Sequence, residues 1–140
     1  MPAPSVEILN PAECMELLSG VPVGRIAITV KALPVILPVN FAVIGGNIFF
    51  RTDRGTKLAA ATSRAVVAFE VDSHGADGRS GWSVMAQGMA REVIDQPTLE
   101  KIRNSGIKAW AVGGQAEHVV CIEVRQLSGR RFSTSCPPRS

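Results

Sequence analysis

The sequence predicts a mainly β protein: a small antiparallel barrel of about six strands with two or three short helices. Three observations lead to this class. First, segments that alternate between apolar and polar residues recur along the chain, as strands with one buried face do. Second, very short turns join the first three of these segments, so neighbouring strands run antiparallel. Third, the strands are so apolar that an open sheet would leave edges prone to aggregation, and a closed barrel has none.

The chain has 140 residues, of which 46% are apolar and 19% are charged. This length fits a single domain over residues 1–140, with a core over about 9–132 and a flexible C-terminal tail over about 133–140. The high apolar content excludes a disordered chain. The longest apolar run, residues 32–39, contains two prolines and is far shorter than the ~18–20 residues of a transmembrane helix. We therefore expect no membrane partner.

Charge and cysteine content narrow the possible partners and compartments. The chain has 15 Lys and Arg residues against 12 Asp and Glu residues, a net charge of +3. This mild excess suits an anionic small molecule and is too weak to indicate nucleic acid. The cysteines, Cys14, Cys121 and Cys136, lack the spacing of a zinc site or a disulfide framework, which predicts a cytoplasmic protein without a metal site. We interpret His118 as a structural or surface histidine.

Capping residues mark three short helices. Asn10 can cap a helix that begins at Pro11 and has Glu13 as its third residue. Gly20 would end this helix in the left-handed conformation. We predict helices over residues 11–19, 57–62 and 97–104, with Asn10, Thr56 and Asp95 as their N-caps.

The alternating segments define six strands, and several of their residues carry further information. Pro34 and Pro38 cannot donate to a β-ladder, so we expect an edge or a bulge at these positions. Gly45 and Gly46 predict a hairpin turn of the primed type. Gly88 predicts a bulge or a close approach of two backbones. The predicted strands span residues 24–30, 33–44, 47–52, 65–72, 81–94 and 117–127.

The segment over residues 47–61, N-I-F-F-R-T-D-R-G-T-K-L-A-A-A, is the most informative about function. A strand delivers Arg51 and Thr52, a glycine allows a sharp turn, and Thr56 and Lys57 then open a helix. Unpaired amide groups, the positive end of the helix dipole, a hydroxyl and an ammonium meet at this point, which makes a sound phosphate pocket. A capped surface helix with solvated charges is the alternative interpretation.

Four stretches of the chain resemble the split-barrel flavin-binding family. They are L-P-V-I-L-P-V-N-F (33–41), I-F-F-R-T-D-R-G-T-K-L (48–58), G-W-S-V-M-A-Q-G-M-A-R-E-V (81–93), and W-A-V-G-G (110–114) followed by H-V-V-C-I-E-V (118–124). This family includes pyridoxamine 5'-phosphate oxidase and the flavin/deazaflavin-dependent oxidoreductases. The resemblance covers residues 9–132, and it implies a six-stranded Greek-key split barrel that forms a homodimer and binds FMN in grooves at the dimer interface.

The resemblance also implies which residues hold the cofactor. One group matches the strand whose backbone edges the flavin ring, a second matches strand-end residues near the ribityl chain, and a third matches the phosphate-binding turn. A further tryptophan and serine start a strand that reaches the flavin, often from the other subunit, and a second tryptophan matches more loosely. In this order the predicted cofactor-binding residues are Pro38, Val39, Asn40, Arg51, Thr52, Thr56, Lys57, Trp82, Ser83 and Trp110.

The implied activity is that of an FMN-binding oxidoreductase, which transfers hydride or electrons between flavin and a small substrate. No catalytic side chain is implied, because the cofactor would carry the difficult chemistry. Two alternatives use the same fold: a reductase that uses the deazaflavin coenzyme, and a non-catalytic flavin-binding or storage protein. The oxidases that act on vitamin B6 continue into a C-terminal segment containing Trp and Arg, whereas this chain has only G-R-R-F over residues 129–132. We therefore expect a different substrate.

Overall fold

Seven strands and three helices make up the part of the chain that the computed structural model describes, residues 5–53, 55–107 and 117–134. Trp110 and Cys136, both discussed above, lie outside the described residues. In chain order the elements are β1 (Ser5–Ile8), α1 (Pro11–Ser19), β2 (Val23–Val30), β3 (Leu33–Ile44), β4 (Asn47–Asp53), α2 (Lys57–Ala61), β5 (Arg64–His74), β6 (Ser80–Glu92), α3 (Gln96–Asn104) and β7 (Glu117–Ser133).

Six of the strands close into a barrel. Around the ring the order is β7, β4, β3, β2, β5 and β6, and β6 pairs with β7 to complete it. Each of these pairings is antiparallel. Strands β2, β3 and β4 follow one another, and β5 returns to lie beside β2, which is a Greek-key arrangement. The predicted mainly β, antiparallel Greek-key split barrel is therefore confirmed.

The predicted number of six strands is wrong, because β1 adds a seventh. Strand β4 occupies one edge of β7 over residues 117–122, and β7 continues well beyond that point. Strand β1 pairs with the remaining stretch of this edge, opposite residues 130–133. The predicted end of the last strand at residue 127 is wrong for the same reason, since β1 and β6 flank the final residues of β7 on both sides. These partners lie at opposite ends of the chain, so no local pattern signals their pairing.

The two prolines of β3 lie where this strand has one neighbour. Every residue of β2 pairs with a residue of β3 over 33–40, with Arg25 opposite Pro38 and Thr29 opposite Pro34. Strand β4 pairs with β3 from Phe41 onward. In an antiparallel ladder, alternate residues direct their N–H groups to opposite edges, and both prolines fall at positions that face away from β2. The missing donors therefore cost no ladder hydrogen bond, and the expected edge position is confirmed.

Apolar side chains from the inner faces of all six ring strands fill the barrel. Phe41 and Phe69 meet edge to face at its centre, with ring centroids 4.8 Å apart. Helix α1 adds Cys14 to this core and helix α2 adds Leu58. A second apolar cluster, which includes Cys121, lies under α3 on the outside of β4 and β7. Burial raises the pKa of both thiols, which pack as small hydrophobic groups, as the sequence predicts.

The predicted helix caps are present with one difference. The Asn10 side chain accepts a hydrogen bond from the Glu13 amide at 2.8 Å, and the Glu13 carboxylate accepts one from the Asn10 amide at 3.3 Å. Asp95 accepts a hydrogen bond from the Thr98 amide at 2.8 Å, and hydrogen bonds from Thr98 hold the pKa of Asp95 below its usual range. Gly20 has a φ of −91°, so the expected left-handed cap is wrong and this position does not need glycine.

Gly88 allows two strands to approach each other closely. The β6–β7 register shifts here, because Gln87 pairs with Gln126 whereas Gly88 pairs with Val124. A Cβ atom at residue 88 would lie 1.8 Å from the carbonyl oxygen of Glu123. The bulge and the close backbone approach that the sequence predicts at Gly88 are therefore both confirmed.

Gly88→Ala should lower the free energy of unfolding by roughly 2–3 kcal/mol, because the methyl group must displace the backbone of β7. Urea denaturation of the wild type and the variant measures this loss. Gly20→Ala is the matched control, since the nearest atoms to its Cβ would lie 3.6 Å away. Equal stability of the Gly88→Ala variant and the wild type would contradict the close approach.

Candidate functional site

Strands β3 and β4 separate at a seam beside the predicted cofactor residues. Their pairing runs from Ile44–Asn47 at the hairpin to Phe41–Phe50. The next pair in register would be Asn40 and Arg51, and here the two strands part. Beyond this point the outer edge of β3 presents backbone groups that a ligand can meet, among them the amide and carbonyl of Asn40.

Two of the three predicted ring-edge residues differ in burial and in the direction of their backbone groups. Pro38 is exposed, whereas the side chain of Val39 is fully buried in the barrel core. The backbone N–H and C=O of Val39 point toward β2, as those of Phe41 do, whose amide donates to the Pro22 carbonyl at 3.3 Å. The backbone groups on the outer edge are those of Pro38 and Asn40, and their place beside a planar ring stays a prediction.

The turn from β4 into α2 is organised by two threonines. Thr52 is buried on the inner face of β4, and its hydroxyl lies 3.3 Å from that of Thr56. Thr56 accepts a hydrogen bond from the Ala59 amide at 3.0 Å and donates one to the Asp53 carbonyl at 2.9 Å. Because a hydroxyl has a single proton, Thr56 must rotate away from Asp53 before it can donate to an anion.

Lys57 is the first residue of α2 and is exposed. In a helix the amides of the first two residues, here Lys57 and Leu58, have no acceptor within the helix. The ammonium and these two amides can together meet one phosphate group. Helix α2 has only five residues, so its dipole adds little to the charge of Lys57.

Arg51 takes part in the packing of a neighbouring segment. Its Nη1 atom donates a hydrogen bond to the carbonyl oxygen of Ile107 at 2.7 Å, across the second apolar cluster. This bond ties the residues that follow α3 to the barrel. A role for Arg51 beside a cofactor stays a prediction.

A polar cavity of about 270 Å³ opens between α2 and the ends of β6 and β7. Within it, His118 is 5% exposed and its Nδ1 atom lies 3.5 Å from Oε2 of Glu92. His118 also pairs in register with Thr52, which connects this cavity to the threonine turn. We call it the α2 pocket; its lining residues are Gly55, Thr56, Ala59, Ala60, Ser63, Glu92 and His118.

Sequence reasoning missed the Glu92 and His118 pair as a functional candidate. Its members come from the last residue of β6 and the second residue of β7, separated by α3. Only the barrel register brings a carboxylate and an imidazole together from these positions. The sequence offered one signal for this pair: each strand has a polar residue near its end, next to an inward-facing apolar run.

Within one chain, Trp82 and Ser83 lie far from the α2 pocket. They begin β6, and Glu92 ends it, so about ten residues of strand, roughly 30 Å, separate them from the α2 pocket. Trp82 lines a different hollow of about 420 Å³, together with Arg131 and Phe132. Within one chain, the length of β6 therefore separates Trp82 and Ser83 from Thr56 and the α2 pocket.

The outer face of β2, β3, β5 and β6 is unusually apolar for a surface. Ile36, Val66 and Met85 are 68%, 73% and 40% exposed. A charged cluster interrupts this face, because Nη1 of Arg25 lies 3.0 Å from Glu70 and 3.3 Å from Asp72. Partial burial and the neighbouring Asp72 raise the pKa of Glu70 to about 7, and Arg25 offsets only part of this shift.

The ring of six strands, opened at the β3–β4 seam and followed by the threonine turn, defines the split-barrel class of proteins. The sequence profile of the family described as pyridoxamine 5'-phosphate oxidase matches residues 10–131. The chain belongs to this family.

Similar proteins agree with this assignment. The FAD binding protein from Mycobacterium smegmatis is 38% identical with a TM-score of 0.77, over 89% of this chain and 98% of that one. An FAD-binding protein from Mesorhizobium loti is 27% identical with a TM-score of 0.76, over 94% of this chain and 100% of that one. The uncharacterized protein Rv0080 of Mycobacterium tuberculosis is 35% identical over 129 residues, 89% of this chain and 84% of that protein. The likeness thus extends to flavin-binding members of the fold.

The described residues 5–53, 55–107 and 117–134 include the helices α1, α2 and α3. None of their helices has the length and apolar character to cross a bilayer. Among the same residues, no three His, Cys, Asp or Glu side chains are grouped as metal ligands.

Glu70→Gln should stabilise the protein above pH 7 and change little near pH 4. Since the pKa of Glu70 rises from 4.5 to about 7 on folding, the folded state binds more protons than the unfolded state between these values. Stability therefore falls as the pH rises through this range, and glutamine removes the loss. Melting temperatures from pH 4 to 8 measure it, with exposed Glu100→Gln as the control. A variant that melts below the wild type at pH 8 would contradict the unfavourable ionisation of Glu70.

Proposed function

We propose that the protein is a flavin-dependent oxidoreductase that transfers hydride or electrons between a flavin and a small substrate. One observation carries the proposal: the β3–β4 seam opens directly beside the turn that presents Lys57. A polar backbone edge and a phosphate-binding turn therefore lie on the same side of the barrel. Membership of the pyridoxamine 5'-phosphate oxidase family and the likeness to flavin-binding proteins support it.

The residues of the turn fit a phosphate. Lys57 offers a full positive charge, and the amides of Lys57 and Leu58 offer two donors without an acceptor in the helix. Thr56 would add a third donor after rotating its hydroxyl. Thr52, buried behind Thr56, would keep the two hydroxyls aligned by the contact at 3.3 Å.

The edge of β3 fits the flavin ring, whose rim carries hydrogen-bonding nitrogen and oxygen atoms. The carbonyl of Pro38 and the amide and carbonyl of Asn40 would bind this rim, and the buried Val39 side chain would hold the edge rigid. A bound flavin would supply the hydride or electron chemistry. The protein would bind the ring, orient it and exclude water from one of its faces.

The proposal concerns riboflavin 5'-phosphate, the part that FMN and FAD share. The family resemblance favours FMN. The Mycobacterium smegmatis protein, at 38% identity, is an FAD binding protein, which supports FAD as the second candidate. Both place a phosphate at the end of the ribityl chain, so both use the same turn.

We also propose that the active form is a homodimer. The apolar outer face formed by Ile36, Val66 and Met85 is of the kind that a second copy covers. A two-fold dimer would also supply Trp82 and Ser83 from the partner, since these residues are roughly 30 Å from the α2 pocket of their own chain. Each cofactor groove would then contain residues of both chains.

Lys57→Ala should weaken FMN binding by about 10- to 100-fold, because it removes a charge-assisted hydrogen bond to the phosphate. Riboflavin has no phosphate, so its affinity should not change. Lys101→Ala on α3 is the control for general charge effects. Fluorescence titration of both ligands against both variants measures these affinities. Equal losses for FMN and riboflavin, or no loss of FMN, would mean that the phosphate does not bind at this turn.

Ile36→Asp should convert the dimer into a monomer at micromolar concentration, because a buried carboxylate without a partner opposes association. Sedimentation velocity distinguishes the two states. Ile94→Asp is the matched control, since Ile94 is 77% exposed and lies outside the proposed face. A wild-type protein that sediments as a monomer with flavin bound would contradict the shared site.

A further inference from the structure

The charged cluster on the apolar outer face lies where the proposed dimer would cover it. Arg25, Glu70 and Met85 follow one another across β2, β5 and β6, because Arg25 is opposite Glu70 and Glu70 is opposite Met85. Asp72 lies two residues beyond Glu70 and therefore points to the same side of β5. The cluster lines a hollow of about 340 Å³ together with Ile36 and Met85. The charges and the exposed apolar side chains thus share one surface.

The cluster carries one more negative than positive charge when all of its groups are ionised. Nη1 of Arg25 lies 3.0 Å from a carboxylate oxygen of Glu70 and 3.3 Å from one of Asp72. A single guanidinium therefore serves two carboxylates. On the other side of Arg25, β3 contributes the uncharged residues Ile36 and Pro38.

The strands on the far side of Glu70 do not balance this charge at contact distance. On β6, Met85 is opposite Glu70, and the residues diagonal to it are Ser83 and Gln87, all three uncharged. Arg130 of β7 is opposite Ser83, which places it two strands from β5, roughly 10 Å away by the spacing of strands. The negative charge in excess therefore stays at Glu70 and its neighbour on β5.

Association of two chains makes this excess charge costly. In the single chain water reaches the cluster, because the side chains of Arg25, Glu70 and Asp72 are partly exposed. A second copy on this face would remove the water, and a charge without a partner is unfavourable to bury. A two-fold axis doubles the effect, since each copy brings the same cluster to the interface. One proton per chain removes the excess and gives a carboxyl O–H that can donate to the neighbouring carboxylate.

We propose that Glu70 takes up a proton when two copies associate, so that the homodimer weakens as the pH rises. This inference rests on the proposed homodimer and adds a means of regulating it. Glu70 rather than Asp72 takes the proton, because partial burial and the neighbouring Asp72 already raise the pKa of Glu70 to about 7 in the single chain. Because each cofactor groove would contain residues of both chains, flavin affinity would fall together with dimer affinity.

The direction of the effect follows from proton linkage. Well below pH 7 Glu70 is protonated in the free chain as well, so association takes up no proton and the dissociation constant does not depend on pH. Above pH 7 the free chain loses this proton whereas the dimer keeps it. Each proton taken up then weakens association by about tenfold per pH unit, and the two chains together by up to about 100-fold.

Sedimentation equilibrium at pH 6, 7 and 8 and constant ionic strength measures the dissociation constant of the dimer. The wild-type constant should rise by about 10- to 100-fold between pH 6 and pH 8. Glu70→Gln keeps the cluster neutral, and Asp72→Asn leaves one carboxylate for one guanidinium, so both constants should stay within about twofold over this range. Glu100→Gln on α3 is the matched control and should keep the wild-type dependence. Melting temperatures identify any variant that is not folded.

The outcomes separate this inference from the proposed dimer. A wild-type dimer with the same dissociation constant at pH 6 and pH 8, or one that tightens as the pH rises, overturns the proton uptake and leaves the dimer standing. A Glu70→Gln variant that keeps the wild-type dependence assigns it to another group, such as His74 on the same side of β5, and also overturns the inference. A chain that is monomeric at all three pH values overturns both proposals.

Discussion

The separation of β3 from β4 is the constraint on which the rest of the site depends. Pro34 and Pro38 remove two donors from the outer edge of β3, and β4 pairs with β3 only from Phe41 onward. The chain therefore leaves the sheet after Asp53 and turns into α2, which closes the barrel end with Leu58. The seam, the threonine turn and the α2 pocket all follow from this departure. In a central strand, two prolines would remove ladder hydrogen bonds. Here they lie on the outer edge of β3, where the backbone is open to a ligand.

Much of the fold could be predicted from the sequence because its signals are local. The prolines, the glycine pair of the hairpin, the capping residues Asn10, Thr56 and Asp95, and the close approach at Gly88 each act within a few residues. The seventh strand and the extension of β7 could not be predicted, since they depend on pairing between the two ends of the chain. The left-handed cap at Gly20 failed because the helix ends in a right-handed turn that any residue can adopt.

The candidate site likewise contains residues that the sequence predicts and residues that it does not. The turn at Thr56 and Lys57 is a continuous motif, so the sequence alone predicts it as a candidate phosphate site. Glu92 and His118 come together only through the register of β6 and β7 with β4, which sequence reasoning does not give. Trp82 and Ser83 were inferred from a family resemblance, and within one chain they lie at the far end of β6. Their place in a site depends on a second copy, which is a property of the assembly rather than of the chain.

The central claim is that a flavin lies along the β3 edge with its phosphate at the β4–α2 turn. A crystal structure of the protein grown with FMN tests it most directly. The account predicts a phosphate within hydrogen-bond distance of Lys57 and the helix amides, and a ring whose rim meets the backbone of Pro38 and Asn40. A flavin bound instead in the hollow lined by Trp82 and Arg131 of the same chain, with the β4–α2 turn unoccupied, would contradict it.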